Sequence, residues 1–405
     1  MRSRKILFPL VASIVLGLVA TPAIAASKAK TKKIDICKAQ NVQEAGGMDK
    51  LVAAAKKEGK INLITLPRDW ANYGAMMDAY EKAFQVKITV DNPDGSSQYE
   101  IDTMKTAPKP KQPDSIDIGP LVVPQLTPPG GTPLSAPYKV INWNDIPAVS
   151  KDKNGLWYGN YGGKLAIVYN TAVGPAPTKA TDFSNPAYKG VVGITGDPTS
   201  SNQAFMSVLA ASIGNGGDKD LADVSKGLAL FKTLKSSAPL VKVNSANLLT
   251  GAAKVGFMWD FSALGVVPAA AQAGLSLKFA YPTDFVLQSP PYINAINAKA
   301  PNCANARLWQ EFLYSQNKGK TAATLTEADL KLPGSKLFAL LQGGQNYWQQ
   351  SGADPVMSVA MKKKGLLLPS LLNFDIPASA KVVGPPSIAD VLSAREQVIA
   401  NWASL

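Results

Sequence analysis

Residues 60–91 read KINLITLPRDWANYGAMMDAYEKAFQVKITVD, and the periodicity of this stretch decides the fold. Ile61, Leu63, Ile64 and Leu66 make 60–66 a buried strand, which Pro67-Arg68-Asp69-Trp70-Ala71-Asn72 breaks. Met76, Tyr80 and Phe84 restore helical spacing over 73–84, and 86–90 is a second strand. Upstream, 48–58 is an amphipathic helix stopped by Gly59. Downstream, Asp91-Asn92-Pro93-Asp94-Gly95 is a turn, Ser96 or Ser97 caps a helix running to about Lys105, and 115–118 is a third strand. Strand, helix, strand, helix, strand with short connections is the pattern of an α/β fold with a parallel sheet covered on both faces. Ligands of such sheets sit beyond the carboxyl ends of the strands, where the loops after Leu66, Val90 and Ile118 gather. The Pro- and Gly-rich stretch 107–137 reads as loop.

Further along, 157–170 reads WYGNYGGKLAIVYN. Gly159, Gly162 and Gly163 supply backbone freedom before a strand over 165–169, as a crossing between two lobes requires. A second α/β unit follows, with strands over 191–195 and 254–259 and helices over 203–213, 221–234 and 263–273. A strand over 292–297 and a helix over 304–314 return to the first unit, and 387–402 is an amphipathic helix capped by Ser387.

The amino terminus carries Arg2, Arg4 and Lys5, an uncharged apolar run over 6–20, and then Thr21-Pro22-Ala23-Ile24-Ala25-Ala26. That is the pattern of a signal peptide over 1–25, cleaved after Ala25 and directing export to the periplasm. No cysteine stands at the cleavage point to take a lipid, so the mature protein is expected free in solution. The 380 residues that remain exceed one hydrophobic core and call for two lobes. The formal charge of +13 is partly a property of a basic flexible tail over 26–46, with Lys28, Lys30, Lys32 and Lys33, and no basic stripe with interleaved aromatics argues for nucleic acid. The chain has no histidine, which excludes Ser-His-Asp and Cys-His nucleophiles and His-containing metal sites. No Asp/Glu constellation stands out, so no enzyme activity, cofactor or metal is expected; a secreted carboxylate-dependent hydrolase is the alternative from another class. Cys37 and Cys303 are the only cysteines, and they either pair in an oxidising compartment or remain two buried thiols.

Several stretches carry a family resemblance: AAKKEGKINL over 54–63, Tyr161-Gly162-Gly163 running into Val168-Tyr169-Asn170, NPAYKG over 185–190, and Ala295-Ile296-Asn297 followed by ARLWQEFLYS over 306–315. In that order and spacing the chain, from Met48 to Ser315, resembles the extracellular solute-binding proteins of ABC importers, in the group serving iron, thiamine and polyamines. The resemblance implies a two-lobed type II periplasmic-binding-protein fold, each lobe a central sheet flanked by helices, with a hinge of crossing strands. It implies a monomer that closes on a small-molecule solute and passes it to an importer permease at the inner membrane. Lobe 1 is then 47–163 plus 283–320, and lobe 2 is 164–282 plus 321–405. Two stretches depart from the pattern, 127–133 and an inserted 318–345.

The candidate cleft residues follow from this frame. Arg68, Asp69, Trp70 and Tyr73 come after the first strand, where contact with the solute competes with a plain helix entry. Trp259 and Asp260 end a second-lobe strand; an aromatic face beside a carboxylate suits an ammonium group, as in polyamine binders, and the alternative is a core tryptophan with a helix-capping aspartate. Thr199 and Ser200, within Gly196 to Asn202, precede a helix and suit an anionic head group or simply cap the helix. Tyr158 and Tyr161 flank the crossing and either stack on a solute or pack the hinge. Ferric members present adjacent tyrosines, and the chain has no Tyr-Tyr pair, which argues against iron. The favoured solute is a cationic amine such as putrescine or spermidine. The alternative is an anion, a phosphonate or organic acid, held by Arg68 and the helix start near Thr199. A secreted adhesion or sensory module on the same fold is a third reading.

Overall fold

The computed structural model describes residues 34–217, 220–368 and 376–405. The leader over 1–25 and the first part of the basic tail lie outside the described residues. No helix among the described residues is long and apolar enough to cross a membrane.

The opening stretch folds as its spacing dictates. Lys60–Ile64 and Lys87–Asp91 pair in parallel, Ile61 opposite Ile88 and Leu63 opposite Val90, with the helix Tyr73–Phe84 between them in sequence. Asn62 and Asp114 exchange backbone and carboxylate hydrogen bonds at 2.7 Å, which seats Lys60–Ile64 beside the strand Ser115–Ile118. The third neighbour is antiparallel: Ile293–Asn297 returns from the other half of the chain and pairs with Ser115–Ile118. The first lobe therefore has a mixed sheet where a parallel one was expected, because its last strand arrives from the far end of the second unit.

The helix Met48–Glu58 buries Leu51, Val52 and Ala55 and stops at Gly59, whose left-handed φ of 70° is favourable without a side chain. Its apolar face meets the helices Cys303–Leu313 and Gly334–Leu340. Gly334 is required there, since a Cβ would lie 2.7 Å from the Val52 Cβ. Glu58 accepts from the Ala304 and Asn305 N–H groups at 2.9 and 2.8 Å, so its carboxylate caps the helix Cys303–Leu313 where the helix dipole favours negative charge.

The second lobe holds a five-stranded sheet in the order Leu277–Ala280, Leu165–Asn170, Val255–Trp259, Val192–Ile194, Val241–Lys242. The first three run antiparallel to their neighbours and the last three parallel. Helices Asn202–Ser212 and Asp260–Gln272 pack on it, and Ser225–Ser237 packs on Asn202–Ser212.

The chain crosses between lobes at Gly163-Lys164 and returns through Gln288 to Tyr292, where Tyr292 N–H donates to the Tyr161 carbonyl at 2.8 Å and Ser289 N–H to the Gly163 carbonyl at 2.9 Å. None of the three crossing glycines lies in the left-handed region, and Gly159 and Gly163 serve close approach instead. A Cβ on Gly163 would sit 2.7 Å from the Phe261 ring and 2.8 Å from Asp260 Oδ1.

Three boundary expectations need correction. The tail is anchored from Asp35 onward: Cys37 and Cys303 form a disulfide with Cα atoms 5.0 Å apart, Ala39, Val42 and Ala45 are buried, and Arg307 donates to the carbonyls of Cys37 and Ala39 at 2.6 and 2.9 Å. The stretch 321–364, expected in the second lobe, packs on the first through Gly334–Leu340 on Met48–Glu58 and Gly344–Ser351 on Tyr73–Phe84, since its apolar residues cover faces that the first lobe leaves bare. Conversely, Phe285–Leu287 pairs with Lys381–Val383 and lies against Leu165–Asn170, so this piece of the expected first lobe sits with the second.

Candidate functional site

A cleft of about 730 Å³ opens between the lobes. Its first-lobe wall is the loop 65–70 and the segment 93–97, with Glu100 and Asp117 behind them. Its second-lobe wall is Thr195, Ser201 to Gln203, Lys242 to Ala246 and the face of the helix Asp260–Gln272 bearing Ser262, Gly265 and Ala269. Tyr161 and Tyr292, one from each crossing strand, stack at 5.5 Å between ring centres and both line it. The site thus stands at the carboxyl ends of the strands, as the sheet pattern requires.

The loop after the first strand is bent sharply. Thr65, Ala71 and Asn72 all have left-handed φ angles, of 49°, 43° and 66°. Such conformations cost non-glycine residues roughly 1–2 kcal/mol each and cluster where a function fixes the backbone. The bend turns Trp70 inward, where it donates to the Tyr161 hydroxyl and meets Phe261 of the second lobe edge-on at 5.2 Å. Arg68 and Asp69 stay exposed at the rim, and Arg68 is paired with Asp78.

Two helices of opposite lobes begin at the cleft. Ser96 caps Ser97–Thr106 by accepting from Tyr99 N–H, and Ser201 caps Asn202–Ser212 by accepting from Ala204 N–H. Their first N–H groups and positive dipole ends face the same space. Around them stand polar atoms that are buried without a partner: Thr65 Oγ1, Glu100 Oε1, Thr195 Oγ1, Gln203 Nε2 and Ser262 Oγ. The Asn202 amide approaches the Tyr292 phenol without forming a well-aligned bond. Each such atom costs about 1–3 kcal/mol unless something binds it, so their convergence leaves an unmet hydrogen-bonding demand in the cleft.

The cleft floor is acidic but tied down. Asp117 accepts from Tyr73 Oη, from Asn160 Nδ2 at 3.0 Å and from Tyr161 Oη at 3.2 Å. Burial still pushes its carboxyl up to about 6, with those three donors pulling the other way. Glu100 is wholly buried, and desolvation raises its carboxyl well above the usual range.

Of the residues singled out in the sequence, Arg68, Asp69, Trp70 and Tyr161 line the cleft. Tyr73 does not: it is fully buried, stacks on Trp309 at 6.5 Å and supports Asp117 from behind. Tyr158 packs the crossing, bonded to Gln310 and the Tyr138 carbonyl. Thr199 and Ser200 fold back on Asp197, and the cleft takes the next three residues, Ser201, Asn202 and Gln203. Trp259 and Asp260 also lie outside the lining. Trp259 is wholly buried and donates to Tyr292 Oη at 3.1 Å. Asp260 accepts from Lys164 N–H, Phe261 N–H and Tyr281 Oη, so its carboxylate holds the crossing and the helix start and has no face for a guest. Burial pushes that carboxyl up to about 6. Sequence reading missed Glu100, Asp117, Gln203, Ser262 and Lys242; the polar residues at the two helix starts were the signal for Gln203.

A family profile described as bacterial extracellular solute-binding protein matches residues 131–342, just over half of the 405-residue chain. Among solved structures, AfuA from Actinobacillus pleuropneumoniae, a periplasmic binding protein with exogenous fructose-6-phosphate bound, superposes with a TM-score of 0.58 at 17% identity, covering 86% of this chain and 98% of its own. AgtB from A. tumefacien R10, in complex with agropinic acid, gives 0.57 at 16%, over 85% of this chain and 98% of its own. The ferric binding protein from Campylobacter jejuni gives 0.52 at 13%, over 85% and 98%. At these identities the likeness is one of fold. No curated protein sequence matches the chain.

Proposed function

The chain belongs to the bacterial extracellular solute-binding proteins, the capture components of ABC importers, and from that premise we propose that it takes up a small anionic, hydroxyl-bearing solute of the sugar-phosphate or organic-acid kind. The observation that carries this reading is the meeting of two helix amino termini, from opposite lobes, with unpartnered buried side chains of Gln203, Thr195 and Ser262. Helix starts favour negative charge, and the neutral donors beside them suit hydroxyl and acid oxygens. Lys242, exposed on the second-lobe rim, adds a cation on the same side. The fold neighbours AfuA and AgtB hold fructose-6-phosphate and agropinic acid, which fits the same chemistry. The cationic-amine expectation rested on Trp259 and Asp260, and their burial away from the cleft leaves it without its receptor. Such a protein binds without transforming its guest, the two lobes closing around it as bound and free forms exchange.

Thermal-shift measurements with fructose-6-phosphate, inorganic phosphate, citrate, putrescine and spermidine test this. The anions, sugar phosphate foremost, are expected to raise Tm, and Gln203→Ala is expected to weaken the best of them about tenfold. Stabilisation by the amines alone would overturn the reading.

A further inference from the structure

Glu100 occupies the fourth position of the helix Ser97–Thr106 and lines the cleft with no exposure to solvent. Oε2 accepts the Asp117 N–H at 3.0 Å, while Oε1 has no hydrogen-bond partner. The titratable groups that face it are Asp117, from the strand Ser115–Ile118, and Tyr292, from the returning crossing. Asp69, Asp94, Arg68 and Lys242 stand further out on the exposed rim, and Arg68 is already paired with Asp78. A carboxyl so placed has a carboxylate neighbour and no cation to balance a second charge.

We propose that Glu100 contacts the solute directly as a neutral carboxyl, donating a hydrogen bond from Oε1 to an acceptor oxygen of the guest. This rests on the anionic reading above and names one of its donors. An acid, phosphate or hydroxyl oxygen completes the orphaned group. The helix start draws the anion into the cleft, and neutral Glu100 adds a donor there. Burial, with the Asp117 carboxylate beside it, raises the Glu100 carboxyl well above the ordinary carboxylate range, so the neutral form is the one the fold favours. Binding of an anion then grows weaker as the pH rises through that value, because an ionised Glu100 must first take up a proton.

Wild type, Glu100→Gln and Glu100→Ala decide the matter when Tm is followed at pH 5.5, 7.0 and 8.5, alone and with fructose-6-phosphate, citrate or spermidine. In the absence of solute, the Gln variant should gain on the wild type as the pH rises, since only the wild type has a carboxyl at position 100 that ionises more readily unfolded than folded. A difference that does not move with pH overturns the neutral carboxyl whatever the solute. With an anion present, the Gln variant should keep wild-type affinity within about twofold at pH 5.5 and lose no more than wild type by pH 8.5, while the Ala variant binds at least about tenfold more weakly. Comparing variants at each pH cancels the titration of the solute itself. An Ala variant of undiminished affinity would remove Glu100 from the contact, and a Gln variant as weak as Ala at every pH would make the ionised carboxylate the binding form. Should spermidine alone stabilise the wild type, or none of the three do so, the anionic reading falls and the donor role with it, even where the solute-free arm behaves as expected.

Discussion

Replacing Gly119 with alanine should hold the two lobes apart. Gly119 ends the strand Ser115–Ile118 of the first lobe, and Asn202 opens the helix Asn202–Ser212 of the second. A Cβ on Gly119 would lie 2.3 Å from the Asn202 Cβ and 2.4 Å from its Cγ. Carbon atoms ordinarily rest about 3.5–4.0 Å apart, so the surfaces must separate by more than roughly 1 Å. The Asn202 Cβ is fixed by its backbone, and Asn202 is only 3% exposed, so no rotamer change relieves the clash. The Gly119 backbone, at φ −72° and ψ 158°, accepts alanine without strain, which confines the penalty to the contact between lobes. Overpacking of this kind costs about 1–3 kcal/mol. Because opening the cleft removes it, the penalty should appear in binding and not in stability: a dissociation constant raised roughly 5- to 150-fold, with the solute-free Tm nearly unchanged. Calorimetric titration with the strongest anion of the thermal-shift panel measures the first. Small-angle scattering with solute should show a larger radius of gyration than wild type. Affinity retained within twofold, or a penalty borne by Tm with affinity intact, would refute the idea that Gly119 and Asn202 form a closing contact.

Three further outcomes follow from groups outside the cleft lining. Trp259→Ala should lower stability by about 3–5 kcal/mol in denaturant melts, as removal of a wholly buried tryptophan does, while leaving the order of preference among solutes unchanged; a switch in preference would return Trp259 to the site. Burial pushes the Glu311 carboxyl up to about 7, against the donors Ile141 N–H and Tyr138 Oη, so its contribution to stability is full below about pH 4.5 and is lost as the pH rises through 7. Glu311→Gln should therefore gain on the wild type by roughly 3 kcal/mol between pH 4.5 and 7.5, and parallel pH profiles would count against a buried carboxyl of that kind. Cys37→Ser should cost about 2–4 kcal/mol and expose 35–46 to limited proteolysis while solute affinity holds; a segment that stays protected would show that Arg307 and the buried Ala39, Val42 and Ala45 suffice.

Much of the fold was legible because the elements that define it are locally periodic. The strand and helix from Lys60 to Phe84 and the helices Met48–Glu58, Asn202–Ser212 and Cys303–Leu313 fall within a few residues of where their apolar spacing puts them. The loop 65–70 was readable as a cleft wall by the same logic, since a strand's carboxyl end and a proline break are both local signals. The second-lobe side of the site was read less well. Thr199 and Ser200 fall one or two residues short of the lining, because which turn of a capped helix start faces a cleft depends on Asp197 and its bonds to both. Trp259 and Asp260 failed for a different reason: an aromatic–acid pair at a strand end reads alike whether it faces solvent or the core. What turned it inward is Lys164, Tyr281 and Tyr292, residues distant in the chain.

The sequence by itself determined the alternation of strands and helices, the division into two sheet-based units with a crossing near Gly163, and the end of the sheets at which a guest would lie. These depend on hydrophobic period and turn chemistry, which act over a few residues. Only the tertiary structure decided which polar atoms the cleft leaves unpartnered, that Glu100 and Asp117 share its floor, that 321–364 covers the first lobe, and that Gly119 lets Asn202 close upon it. Those facts turn on what distant segments bury and where desolvation falls, and no local pattern in the chain encodes either.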